Sequence, residues 1–250
     1  MLKFFHQLAS PPYFYRIATT FIPWMTVPAL MLIAYGTYAG LFLAPPDYQQ
    51  GDAFRIIYVH VPSAYLSLMA YVFMAISGAI GLIWRMKLAH AVGATAAPLG
   101  AAFTFIALAT GSIWGRPMWG TWWEWGDARL TSELILLFLY FGYMALRSSI
   151  NDTAKADKAC AVLSIIGVVN VVVVHYSVEW WSSLHQGQTL MKKGGPAMDA
   201  EMLYPLLAMI LGFTLLFGAL LTRRIKTEVL YRERRSRWVR EMILSSEGGK

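Results

Sequence analysis

Six apolar runs, each closed at its ends by charge, proline or tryptophan, set the limits on what this chain can fold into: residues 21–43, 61–84, 91–113, 131–146, 160–174 and 202–222. A hydrocarbon core about 30 Å thick takes about 20 helical residues to cross. Lipid offers no partner to an unpaired backbone N–H or C=O, so runs of this kind must be helices. The fourth and fifth runs are short and borrow flanking residues such as 128–130 and 176–178. Composition agrees, with 57% hydrophobic and only 14% charged residues, where a soluble domain carries about a quarter charged. The expected fold is all-α: a polytopic membrane protein with six transmembrane helices and a tryptophan-rich outer loop. No repeat of fixed period and no low-complexity linker divides residues 1–250, so one integral membrane domain is expected.

The net charge of +7 does not indicate a nucleic-acid binder, because the basic residues sit at the ends of the apolar runs instead of clustering on a folded face. Their distribution sets the topology. Sixteen Lys and Arg fall on one set of alternate connections, including Lys3, Arg16, Arg85, Lys87 and nine in the tail at 223–250. Five fall on the other: Arg55, Arg116, Arg129, Lys192 and Lys193. The positive-inside bias then places both termini in the cytoplasm and residues 44–60, 114–130 and 175–201 outside, as expected of a multi-pass protein. The basic tail reads as an anchor on anionic lipid. The N-terminal segment lacks a signal-peptide pattern, so the first run is expected to stay as an anchor. A single cysteine, Cys160, excludes paired-thiol chemistry and a CxxCH attachment site.

Seven of the ten tryptophans lie in the outer loops, and five are packed into residues 114–125 of the stretch WGRPMWGTWWEWGD, residues 114–127. An interfacial belt would populate both faces. Trp114, Trp119, Trp122, Trp123 and Trp125 instead form a local concentration of large rigid apolar faces, with glycines that let the backbone approach a ligand. Such a surface suits something flat. A haem needs aromatic faces, axial ligands and cations for its propionates. Two histidines lie in outer loops, His60 in RIIYVHVP and His185 in EWWSSLHQG. Pro62 suits the first turn of the second span and puts His60 at or just before that helix's N-terminus, where the dipole favours the neutral ring. His6 and His90 fall on the cytoplasmic side, and His175, at the end of the fifth span, competes with His185 as a ligand. Arg55 and Arg129, with Arg116 behind them, are the cations for carboxylates.

At these residues the chain resembles the haem-handling membrane proteins of cytochrome c maturation that carry a tryptophan-rich WWD motif, and among them the CcmC family. The tryptophan stretch followed by ARLTSEL, the two outer histidines and the order of six spans carry that resemblance over nearly the whole chain. The family motif runs W-G-x-W-W-x-W-D, whereas here Gly126 separates Trp125 from Asp127, an insertion expected to rotate Asp127 or lengthen the turn. The resemblance implies haem b held transiently as cargo on the periplasmic face of the bacterial inner membrane, with His60 and His185 as axial ligands and the tryptophan loop as its surface. It implies delivery to the haem chaperone CcmE, with CcmD and the CcmA–CcmB ATP-binding-cassette pair as further partners. This chain has no GxxxxGK[ST] run, so ATP chemistry falls to partners. A role in covalent haem attachment would be one of orientation.

Bland readings stand beside these. Asp127 serves equally as the cap of the fourth helix. Glu133 is a functional candidate as an ionisable group near the membrane, or pairs with Arg129 four residues earlier. Asn170 is expected to join helices by a side-chain hydrogen bond. Trp180 and Trp181 serve equally well as interface anchors. The rival function is a transporter moving haem or another solute through its own bundle, which would place broken helices and polar groups at mid-membrane in repeated halves. A scaffold that only docks a partner leaves the histidines unexplained.

Overall fold

In the computed structural model the described residues are 10–181, 183–185 and 198–247, with side chains described through Leu244. Lys3, His6, Lys192, Lys193 and Lys250 lie outside them. Six helices are long and apolar enough to cross a membrane. We label them α1 (Pro11–Tyr38), α2 (Ile57–Trp84), α3 (Lys87–Trp119), α4 (Ala128–Ser149), α5 (Thr153–Trp180) and α6 (Ala200–Arg232); a short α7 (Arg237–Glu247) follows. No strand occurs among the described residues.

Local chemistry sets the ends. α1 opens with Pro11 and Pro12, whose missing N–H groups would have no intrahelical partner there. It closes through a π-helical turn, Ala39–Leu43. α3 ends where Gly120 turns left-handed at φ 78°, a conformation that costs glycine little. α4 and α5 start on Asp127 and Asp152, whose carboxylates accept from backbone N–H groups of their first turns.

The helices extend beyond the apolar runs in both directions. α3 continues through Trp114 and Trp119, α5 through His175 to Trp180, and α6 through the basic residues to Arg232. A 3₁₀ turn at Asp52–Ile56 leads directly into α2, so His60 stands inside that helix, in its fourth position, and Pro62 follows in the second turn.

α2 and α3 pack along each other; α5 covers α2, α4 bridges α3 and α5, and α1 rests mainly on α6. The core fills between α2, α3, α4 and α5 with Leu66, Tyr71, Met74, Leu136, Tyr140 and Cys160. The opposite surfaces carry exposed Trp24, Phe42 and Ile166, which suits helices whose solvent is lipid. Asn170 Nδ2 donates to Ser132 O at 2.9 Å, joining α5 to α4 as expected. The up-and-down order gathers Trp114, Trp119, Trp122, Trp123, Trp125, Trp180 and Trp181 at one end of the bundle and the basic helix ends at the other.

Candidate functional site

At the tryptophan end, the start of α2, the last turns of α3, the start of α4 and the segment 183–185 converge on a cleft of about 30 Å³. His60, Gly111, Arg129, Glu133 and His185 line it. The two outer-loop histidines, 125 positions apart in the sequence, thus face one space.

His60 is held in a defined tautomer. Its Nδ1 lies 3.0 Å from Thr110 Oγ1, and that hydroxyl already donates its hydrogen to Ile106 O at 2.7 Å. Thr110 can therefore only accept, so Nδ1 carries the proton and Nε2 keeps its lone pair. A second-sphere bond of this kind orients an imidazole for a metal. Room for the ring is made by Gly111, where a Cβ would stand 3.1 Å from His60 Cε1. The ring meets Trp114 edge-on, centroids 5.6 Å apart, and Trp114 Nε1 donates to Gln50 Oε1 at 3.0 Å.

His185 is positioned through Asp127. Oδ1 of Asp127 caps α4, accepting from the N–H groups of Arg129 and Leu130 at 2.9 Å each. Oδ2 accepts from Ser183 Oγ and Leu184 N at 2.8 Å each. One carboxylate therefore starts a helix and fastens the segment that carries His185, whose Nδ1 faces Oδ1 at 3.7 Å. Burial pushes the Asp127 carboxyl upward, but His185 and the N–H and O–H donors around it outweigh burial and hold it well below the usual carboxylate range. The His185 ring packs on Trp119 at 5.1 Å.

The chain matches the family model described as CcmC, Heme exporter protein C, over residues 4–240. Proteins named Heme exporter protein C from Escherichia coli (strain K12) and Bradyrhizobium diazoefficiens are 50% and 45% identical to it; the alignments cover 98% of both chains in the first case, and 97% of this chain and 93% of the relative in the second. The relative of that name from Rhodobacter capsulatus is 38% identical, over 95% of this chain and 98% of its own.

The chain belongs to the heme exporter protein C family.

Gly126, expected from the resemblance to rotate Asp127 or lengthen the turn, leaves Asp127 at the start of α4. Glu124 Oε1 accepts from Gly126 N at 3.1 Å, and Asp127 N donates to Glu124 O at 3.1 Å, so Gly126 sits within a turn. The five indoles of this family member do not form one continuous face. Trp114 and Trp119 sit on α3 against the two histidines. Trp123 turns inward onto the core with its Nε1 unpaired, and Trp122 and Trp125 are 57% and 72% exposed.

The cations separate in the same way. Arg55 donates to Gly40 O, Ala44 O and Asp52 Oδ1, closing the frayed carbonyls after α1, and Arg116 is bonded to Gly120 O. Both are occupied by the fold. Arg129 lines the cleft and has no hydrogen bond or ion pair from its guanidinium among the described residues. Glu133, expected to pair with it, accepts instead from Ser67 Oγ at 2.6 Å. His175 is exposed and packs edge-on against Tyr176, outside the cleft that its neighbour Val174 lines. His90 lies at the basic end against Gly81.

Sequence reasoning passed over Thr110, Ser67 and Ser183. Thr110 carried a usable signal, since it precedes Trp114 by four residues on a helix and so shares its face.

Proposed function

We propose that this chain binds haem b as cargo at the tryptophan end of the bundle, with His60 and His185 as the two axial ligands, and delivers it to a haem chaperone during cytochrome c maturation. The observation that carries the reading is the pair of imidazoles from distant segments lining one cleft, one with its Nε2 lone pair freed by Thr110 and the other fastened through Asp127. No group of three or more His, Cys, Asp or Glu able to hold a bare metal ion occurs among the described residues. Two imidazoles alone suit an iron whose remaining ligands come from its own macrocycle.

Arg129, on the cleft lining with no hydrogen bond or ion pair from its guanidinium among the described residues, takes a propionate; its fork matches a carboxylate. Trp114 and Trp119, already against the histidines, and the exposed Trp122 and Trp125 supply apolar faces. The cleft has room for about one water, so a macrocycle lies across its mouth and not within it. One edge then stays open to a partner. The family resemblance names the chaperone as CcmE, with CcmD and the CcmA–CcmB pair completing the system. It also gives the side: the tryptophan end faces the periplasm and both termini the cytoplasm, in accord with the basic helix ends.

The test is the visible spectrum of the purified chain. A Soret band is expected with haem supplied, and His60→Ala with His185→Ala together are expected to abolish it. A chain that binds no haem, or a band unchanged in the double variant, overturns the assignment.

A further inference from the structure

At the opposite end of the bundle, α1 and α6 separate around a groove that the haem reading does not use. The two helices touch where a Cβ on Gly218 would meet Met25 Sδ at 3.3 Å. Beyond that contact they leave a cavity of about 340 Å³ lined by Thr19, Ile22, Arg223, Lys226 and Thr227. Beside it Lys226 Nζ lies 4.3 Å over the Tyr15 ring, itself 6.0 Å from Trp238 of α7.

We propose that this groove binds the phosphate of an anionic phospholipid. Two cations line it and, among the described residues, no carboxylate does; the Thr19 and Thr227 hydroxyls donate to Tyr15 O and Arg223 O of their own helices, so the cations carry the site. The next acid along α6, Glu228, is engaged by Arg147 and Arg232. Depth agrees: Arg223 stands twenty-one residues beyond Met202, about 32 Å along a helix, which spans the hydrocarbon layer and reaches the headgroups beyond it. Ile22 makes the lining apolar on one wall, and exposed Trp24 and Leu220 lie further along the two helices. A lipid, whose acyl chains follow such a surface, fits this gradient better than a free phosphate ion does.

The experiment is native mass spectrometry of the full-length chain from detergent, offered phosphatidylglycerol, phosphatidylcholine or inorganic phosphate. Phosphatidylglycerol is expected to be retained over phosphatidylcholine, and inorganic phosphate not retained. Arg223→Gln with Lys226→Gln is expected to lower that retention about five-fold for each cation removed. The exposed pair Arg234→Gln with Arg235→Gln is expected to leave it unchanged. Equal retention of the two lipids, retention of inorganic phosphate without lipid preference, or an equal loss in the Arg234/Arg235 variant overturns the proposal. Thermal unfolding of each variant checks its fold, and Arg223→Gln alone replaces the double variant if that does not fold. The haem spectrum is not a readout here, so failure of this site and failure of the haem site are distinguishable.

Discussion

The two ends of the bundle both bring charged side chains together, but they use them differently. At the basic end Arg147, Asp157, Glu228 and Arg232 from α4, α5 and α6 form a closed set: Arg147 reaches Asp157 at 2.7 Å and Glu228 at 3.0 Å, and Arg232 reaches Asp157 at 2.8 Å and Glu228 at 2.7 Å. Two cations meet two anions, and every partner is internal. At the tryptophan end the acids are consumed by the fold, Asp127 by two backbone segments and Glu133 by Ser67, while Arg129 and the two imidazoles keep unused capacity toward the cleft. Charge that is fully satisfied within the chain holds helices together. Charge left over in a lined space is what a ligand can use.

The sharpest way to break this comparison is to injure each end and read both properties. Asp157→Ala leaves two guanidinium groups sharing one carboxylate in a largely buried setting, which costs about 3 kcal/mol. The thermal midpoint in detergent is expected to fall while the Soret band per folded molecule stays the same. Asp127→Asn is expected to do the reverse. An amide nitrogen cannot accept from Ser183 and Leu184, so the segment bearing His185 loosens. Haem retention should fall about 10-fold to 100-fold, the range for loss of a group that orients a metal ligand, and the helix start keeps most of its cap because Asn caps nearly as well as Asp. Equal losses of stability and haem in both variants would erase the distinction between the ends.

Much of the architecture was legible in the residues. Apolar runs located six helices because lipid leaves the backbone no alternative, and Asn170 was readable as a joint between helices. Helix ends were less legible, since hydropathy reports the surrounding solvent and not the backbone. α3 runs on to Trp119 and α6 to Arg232 because nothing breaks those helices where the apolar residues stop. At the site, the indole concentration and the histidines pointed to the cleft, and the structure brings His185, not His175, to the space that His60 faces. The division of the arginines was hidden. Arg55, Arg116 and Arg129 look alike in sequence, and only the carbonyls brought near the first two show that they are occupied. Asp127 could be read as a cap or as a site residue, and the carboxylate does both because its second oxygen reaches a segment 56 residues away.

Smaller effects sharpen the picture within the cleft. Arg129→Gln is expected to weaken haem binding about ten-fold, the loss of one charge-assisted contact, without moving the thermal midpoint. An equal loss with Arg55→Gln at an unchanged midpoint would show that the unpaired cation is not the distinguishing one. Thr110→Val removes the acceptor for His60 Nδ1 and frees the tautomer, so a loss of a few-fold and a shifted Soret maximum are expected.

The least change is expected from mild acid. The Asp127 carboxyl is held below its ordinary value of 3.8, so its contribution is present above that unfolded value and is lost only as pH falls through the lowered folded one. Between about pH 7 and pH 5, well above the ordinary carboxylate range, the carboxylate therefore keeps its grip on Ser183 and Leu184. Hydrogen exchange at Leu184, corrected for the intrinsic effect of pH, is expected to stay flat over that interval. In Asp127→Asn it is expected to be fast throughout. Haem lost in the same interval would then have a cause other than release of this carboxylate. A rise in Leu184 exchange near pH 5 would instead mean that the carboxylate lets go first, and that the two ends of the bundle differ less in how firmly they hold their acids than the geometry implies.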